Sequence, residues 1–244
     1  MKSIAVYSSK GGVGKTAAAV NLSYVCSQRG KKTLLCDMDP QGAAGFYYRV
    51  RPKPNFNRKK FLKGNLQSFI RETDYPHLDL LPAHFSFRNL DLALDREGNG
   101  KLKHIFAGLA DDYDYLILDC PPNMTLLSAN LIMAADRVVT PVVPSTLSIL
   151  ALAQLVKFFD KIDADRKKLQ AFFSMVECRK NMHGDTIKRF GKKKIFLRTQ
   201  VPYLADVEKM GLTRQPVAVT RPDSVAAEAY DKLWMEVWKS LFRK

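Results

Sequence analysis

The sequence predicts an α/β fold: a mainly parallel, doubly wound sheet with helices on both faces. Three observations carry that expectation. Apolar runs of strand length alternate with helical patterns along most of the chain. The first run enters a glycine-rich turn that opens a helix, and acidic residues stand directly after two later runs.

Ile4-Ala5-Val6-Tyr7 reads as a short buried strand, followed by a glycine-rich turn from Ser9 to Gly14. A helix is predicted from Thr16 to Gln28, closed by Gly30, and Thr33 to Cys36 forms a second apolar run ending at Asp37. Strand, loop, helix and strand in that order make a βαβ unit with parallel strands and a right-handed crossover. Further strands are predicted at 78–81, 115–118, 137–143, 171–176 and 194–197. Helical patterns occupy 101–110, 124–135, 146–162, 183–190, 204–210 and 224–242. Ligands of such sheets bind beyond the carboxyl ends of the strands. The glycine loop, Asp37 with Asp39, and Asp119 are therefore expected to meet on one edge.

Two segments break the alternation. Residues 49–63 hold Arg49, Arg51, Lys53, Arg58, Lys59, Lys60 and Lys63 with no acid, and read as a basic surface loop. Residues 188–198 repeat the bias across a helix end and a strand start. There is no internal repeat or low-complexity linker, and residues 1–244 are read as a single domain.

A hydrophobic content of 46% is enough for a substantial core. The net charge of +15, from 39 Lys+Arg against 24 Asp+Glu, favours polyanionic partners, either nucleic acid or an anionic membrane. Cys26, Cys36, Cys120 and Cys178 contain no Cys-x-x-Cys pair, which argues against a zinc knuckle or a dithiol redox motif. Met1 to Ile4 lead straight into the first strand, leaving no room for a signal peptide, and no stretch reaches the ~18 apolar residues of a membrane span. A cytoplasmic protein is expected.

Lys10-Gly11-Gly12-Val13-Gly14-Lys15-Thr16 joins the first strand to the first helix. Gly-x-x-x-x-Gly-Lys-Ser/Thr is the phosphate-loop pattern, met here only in part because Ser9 replaces its first glycine. The physics survives that change. Glycines let backbone N–H groups turn towards phosphate oxygens, and the following helix presents its positive end. Lys15 is placed to neutralise the β- and γ-phosphates and Thr16 to ligate Mg²⁺. Asp37 and Asp39 start a turn, which is ordinary loop chemistry. Facing a γ-phosphate, such an acid can also orient the attacking water. Asp119 ends a buried strand, where an acid holds Mg²⁺ through water.

Opened by a lysine, the 10–16 segment resembles the deviant Walker A motif of the ParA/MinD family. In that family the lysine corresponding to Lys10 reaches a partner subunit's nucleotide. Cys36-Asp37-Met38-Asp39-Pro40-Gln41-Gly42 is similar to the family's Asp-x-Asp-Pro-Gln-Gly. The resemblance implies that Asp39 activates water and that Asp37 supports the metal shell. Asp119-Cys120-Pro121-Pro122, Pro141 to Pro144 with the helix start at Ser145–Leu152, and Pro222-Asp223-Ser224 also resemble the family. Arg198 to Tyr203 look like its late strand and turn, implying adenine contacts at Val201 and Pro202. Most of the chain is covered, except roughly 47–77.

The implied cofactors are ATP and Mg²⁺. Lys10, Gly11, Gly12, Val13, Gly14, Lys15, Thr16 and Ala17 would line the phosphates. Lys10, Lys15 and Asp39 would be catalytic, and Thr16, Asp37 and Asp119 would serve the metal. Ala17 stands where many relatives have a second Thr, removing one hydroxyl contact to the α-phosphate. The absence of an N-terminal helix-turn-helix extension argues against operator-specific repression.

The family resemblance further implies an ATP-bound homodimer that grips nonspecific DNA. Lys188, Arg189, Lys192, Lys193, Lys194, Arg198, Arg214 and Arg221 are the candidate contacts. A cargo-bound adaptor would stimulate slow hydrolysis, and the protein would be nucleoid-associated. Iron–sulfur carriers and nitrogenase-reductase relatives need cysteines placed differently. Bacterial tyrosine kinases carry a C-terminal tyrosine cluster where this chain has only Tyr230. Amidoligases of the cobyrinate type are disfavoured by length. The remaining alternative is a MinD-like membrane switch. It would use the stripe of Trp234, Val237, Trp238, Leu241 and Phe242, flanked by Lys232, Lys239, Arg243 and Lys244. Core packing of that stripe is the preferred reading.

Overall fold

The structure, a computed structural model, describes residues 1–97 and 100–242. Its elements run β1 (Lys2–Val6), α1 (Lys15–Ser27), β2 (Thr33–Asp37), α2 (Ala43–Tyr47), α3 (Arg58–Lys63), β3 (Arg71–Glu72) and β4 (Leu78–Leu81). Next come α4 (Leu90–Glu97), α5 (Lys101–Ala107), β5 (Tyr115–Asp119), α6 (Leu126–Ala134), β6 (Arg137–Val142), α7 (Thr146–Lys161) and β7 (Leu169–Val176). The chain finishes with α8 (Asn181–Phe190), β8 (Phe196–Pro202), α9 (Ala205–Thr213), α10 (Val217–Thr220) and α11 (Val225–Leu241).

Eight strands form one sheet in the order β3-β4-β2-β5-β1-β6-β7-β8. All the pairings are parallel except that of β3 with β4. The central strands β2 and β5 are buried along their whole length, as continuous apolar runs covered on both faces must be. The predicted doubly wound α/β class is therefore the observed one.

Alternation along each strand divides the core. Ile4, Val6, Leu35 and Ile117 face a layer of α1, α2, α9, α10 and α11, where Tyr230 and Trp234 are buried. Ala5, Tyr7, Leu34, Leu116 and Leu118 face the opposite layer, which holds α3 to α7. That second layer continues to α8 through Leu152 of α7, packed with Phe173 and Phe196 and against Ile187 and Phe190. β8 lies at the open edge of the sheet. Glu236 of α11 accepts from Arg198 N at 2.8 Å and Thr199 N at 2.7 Å, so outward amides of this edge are occupied.

Two expectations need correction. Residues 49–63 are not simply a surface loop: Arg58–Lys63 is helical, and Phe56 and Phe61 are core residues. Their anchors are separated by turns, so no strand or helix period announced them. The last strand runs from Phe196 to Pro202 instead of 194–197. It is half-exposed, and its polar positions conceal the continuation. The short helices α2, α4 and α10 lie outside the predicted set.

The C-terminal stripe divides. Trp234, Val237 and Leu241 are buried in the core, with Trp234 edge-to-face on Tyr115 at 5.0 Å. Trp238 and Phe242 are exposed and pair with each other, and Lys2 sits over the Phe242 ring. Arg243 and Lys244 lie outside the described residues. Among the described residues, no helix is long and apolar enough to cross a membrane. The thiols of Cys26, Cys36 and Cys120 are free and buried, and Cys178 is exposed.

Candidate functional site

The carboxyl ends of β1, β2 and β5 bring three segments together, because Val6 and Asp37 both register with Asp119. The glycine loop follows β1. Gly12 and Gly14 have φ of 71° and 91°, in the left-handed region where a side chain is strained. Gly14 is the N-cap of α1, and no side chain caps that helix or places an acid in its first turn. The helix therefore offers uncompensated N–H groups and positive dipole to an anion.

Lys15 is buried, with Nζ donating to Lys10 O at 3.3 Å. Burial lowers its pKa, opposed by the negative charges of Asp119 and Asp39. Lys10 Nζ donates to Ser148 Oγ at 3.0 Å, folding this ammonium onto the start of the chain's own α7. Val13 O accepts from Ser174 Oγ at 3.0 Å, tying the loop to β7. Ser148 and Ser174 were absent from the sequence-derived site. Ser174 is a lone polar residue in an apolar run and Ser148 one of several hydroxyl residues opening a helix, and neither pattern reveals a tertiary contact.

The acids differ sharply. Asp37 is fully buried and its carboxylate is occupied. Oδ1 accepts from Asp39 N at 3.2 Å, while Oδ2 accepts from Ala44 N at 3.0 Å and Gly45 N at 3.2 Å, at the start of α2. Asp39 is half-buried, and its Oδ1 accepts from Gln41 N at 3.0 Å. Asp119 is fully buried, yet neither carboxylate oxygen has a hydrogen-bond partner. Its pKa is pushed up to about 7 by burial, with the Thr16 hydroxyl beside it pulling the other way. Burial and the neighbouring Asp119 charge raise the Asp37 carboxyl as well.

A buried, unpaired carboxylate costs several kcal/mol, in order of magnitude, unless a cation or donor joins it. The orphaned Asp119 beneath an open glycine cradle thus fits Mg²⁺ and a phosphate chain. Thr16 and Asp119 would hold the ion, which keeps much of its own water. Asp37 is already committed to the backbone. The loop after Asp119 is braced by Tyr7, whose hydroxyl donates to Asn123 O at 3.1 Å, and by Asp91, which accepts from Leu127 N at 2.6 Å.

Val201 and Pro202 end β8 on the same edge. The Val201 side chain packs in the core with α1 and α11, and Pro202 is half-buried. Ala17 lies in the first turn of α1, and its carbonyl accepts from Asn21 Nδ2 at 2.7 Å. At the opposite sheet edge, near the start of β4, lies a cleft of about 780 Å³. Its lining includes Glu72, Asp74, Asp79 and Asp112, an acidic set ill suited to phosphates.

The basic candidates do not form one patch. Lys188, Arg189, Lys192, Lys193 and Lys194 are exposed at the end of α8 and the turn beyond it, with Arg189 and Lys193 flanking Phe190. Arg198 is exposed on β8. Arg214 and Arg221 belong to the opposite helical layer. Arg221 lies 4.0 Å from Asp206. Arg214 Nε donates to Phe46 O at 2.9 Å, and its guanidinium lies 4.7 Å from the Phe46 ring centroid. In return Arg49 donates to Thr213 O at 2.8 Å, so two arginines clamp the ends of α2 and α9 together.

Comparisons with known proteins agree with this geometry. A family profile for the AAA domain matches residues 1–171. The sporulation initiation inhibitor protein Soj of Bacillus subtilis is 30% identical, covering 97% of this chain and 98% of that protein. A plasmid partition protein from Borrelia burgdorferi bound to AMPPNP superposes with a TM-score of 0.85 at 22% identity, covering 98% of both chains. Cobyrinic acid a,c-diamide synthase from Mycobacterium smegmatis, bound to ADP and magnesium, gives a TM-score of 0.81 at 24% identity. That match covers 98% of this chain and 96% of the other, so length alone does not set amidoligases apart. With a full-length 30% relative and a deviant phosphate loop on the expected sheet edge, the chain belongs to the ParA/MinD family of P-loop ATPases.

Proposed function

We propose that this protein is an MgATP-hydrolysing partition or positioning switch that grips nonspecific DNA as an ATP-bound homodimer. The observation that carries the chemical part is the orphaned, buried Asp119 beside Thr16, below a loop whose N–H groups have no capping acid. Family membership supports the cellular part.

In this reading the phosphates of ATP lie along Gly11 to Ala17. Lys15 neutralises their charge, Thr16 and Asp119 hold Mg²⁺, and Asp39 orients the attacking water. When bound, Mg²⁺ supplies charge neutralisation at the transferring phosphoryl group. Asp37 fixes the segment carrying Asp39 by capping α2. Lys10 leaves Ser148 and reaches the nucleotide of a second subunit. Dimerisation aligns the α8 patches for DNA, and a cargo-bound adaptor accelerates hydrolysis so that the dimer parts and DNA is released. Val201 and Pro202 flank the adenine. The protein then works in the cytoplasm on the nucleoid. Burial of Trp234, Val237 and Leu241 in the core counts against the membrane alternative.

DNA binding with ATP, ADP or no nucleotide, beside anionic liposomes, tests the proposal. Binding that needs ATP, disappears in Lys15→Gln and persists longer in Asp39→Ala supports it. Binding to liposomes alone moves the protein to the membrane class. Unchanged ATP-dependent dimerisation and hydrolysis in Lys10→Ala removes the cross-subunit role.

A further inference from the structure

The segment around α3 is a rigid basic platform. Phe56 and Phe61 are 1% and 0% exposed and pack against Phe69, Phe87 and Phe106. Asn57 caps α3 by accepting from Lys59 N at 3.0 Å and Lys60 N at 3.1 Å. Arg58 N donates to Ser86 Oγ at 2.8 Å, fastening the helix to the turn after β4.

With the aromatic side chains turned inward, the cations face out. Arg51, Lys59, Lys60 and Lys63 are exposed, and Lys53 and Arg58 are partly so. Among the described residues, Arg49 alone in this segment has a carboxylate partner, Asp74 at 3.7 Å. On the adjoining turn, Arg88 lies 4.1 Å from the Phe85 ring centroid, adding another cation over that exposed ring.

We propose that this platform is a second contact surface for the phosphate backbone of duplex DNA, separate from the α8 patch. The inference rests on the reading of the chain as a DNA-gripping ATPase. Crowded cations without counter-charges repel one another, and a polyanion relieves that repulsion. Exposed lysines are mobile point charges suited to phosphates and carry no base readout. A lipid surface or an amphipathic protein helix takes apolar anchors; here Phe56 and Phe61 are buried, and the exposed Phe85 ring is covered by Arg88.

Position adds a second argument. Phe61 of α3 packs against Phe106 of α5, at the β4 side of the layer, whereas α8 covers β7 and β8 at the other side. From β4 to β7 and β8 is five to six strand steps of about 4.8 Å, or about 24–29 Å across the layer. That is less than one turn of B-DNA, so a single duplex laid across the layer is long enough to touch both surfaces.

The test uses the full chain with MgATP and a duplex of about three helical turns, between about 50 and 200 mM salt. Lys59→Gln, Lys60→Gln and Lys63→Gln are combined, with the matching triple Lys→Arg variant as rescue and melting temperature as the folding control. The slope of log affinity against log salt should fall by about 0.9 for each lysine on a phosphate, up to about 2.7, with roughly tenfold weaker binding. The arginine triple should keep the wild-type slope. An unchanged slope in the glutamine triple overturns the platform. If Lys188→Gln with Lys192→Gln then still abolishes binding, the DNA-switch reading stands without it. Absence of ATP-dependent DNA binding in the wild type overturns both. An unchanged DNA slope with lost binding to polyglutamate assigns the surface to an acidic protein segment instead.

Discussion

Asp37 and Asp119 end neighbouring strands, in register with each other, and both are completely buried. Their surroundings are opposite. Asp37 accepts from three backbone amides and holds the start of α2, whereas Asp119 has no partner for either oxygen. Two identical side chains at one depth therefore have separable tasks. A satisfied buried carboxylate stabilises the fold, and an unsatisfied one waits for a ligand that supplies the missing charge. Desolvation raises the pKa of both acids, so titration alone does not distinguish them. Hydrogen-bond occupancy does.

The largest expected effect comes from Asp119→Asn. If Asp119 faces Mg²⁺ as proposed, its loss should reduce MgATP hydrolysis by about 10²-fold or more. The nucleotide-free protein should melt close to wild type, because relief of a buried carboxylate without a hydrogen-bond partner offsets the lost attraction to Lys15. Steady-state hydrolysis and thermal melting measure the two halves. A large loss of stability with hydrolysis preserved would invert the assignment of the two acids.

Asp37→Ala should behave the other way round. Removing an acceptor from three amides, two of them at the start of α2, should cost about 3 kcal/mol. In a chain of this size that corresponds to about 10 °C in melting temperature. The loss should be equally present without nucleotide, and Asp37→Asn, which keeps one acceptor, should fall between alanine and wild type. Full wild-type melting with a selective loss of Mg²⁺ affinity would return Asp37 to the metal.

The meeting of the glycine loop and Asp119 on one sheet edge was readable because each directly follows or ends an apolar strand. Lys10 to Thr16 sit between one strand and one helix, and Asp119 directly ends an apolar run, so short windows of sequence carry both. What separates Asp37 from Asp119 was not readable. The amides of Ala44 and Gly45 reach Asp37 only because the chain turns into α2, a five-residue helix with no period to detect. The same limit hid Ser148 and Ser174, whose contacts to Lys10 and Val13 span 138 and 161 residues. It also merged Arg214 and Arg221 with the α8 cations, since charge in a sequence has no face. Phe56 and Phe61 were overlooked because the basic residues around them set the composition of the segment.

The smallest effect concerns the far end of α2. Asp37 holds its first turn, and the reciprocal arginines hold its last, with Arg214 on Phe46 and Arg49 on Thr213. If α2 is a structural element fixed at both ends, Arg214→Ala should cost about 1 kcal/mol, the scale of a half-exposed hydrogen bond with a ring contact. That cost should add to the cost of Asp37→Ala if the two ends are independent, and fall short of additivity if either loss already releases the helix. The same variant decides between the two roles of this arginine. As a clamp it leaves the salt dependence of DNA binding unchanged, whereas a phosphate contact would lower the slope by about 0.9. Because Arg214 already donates to Phe46 O and covers the Phe46 ring, reaching a phosphate means giving up both contacts, which is why the unchanged slope is the expected result.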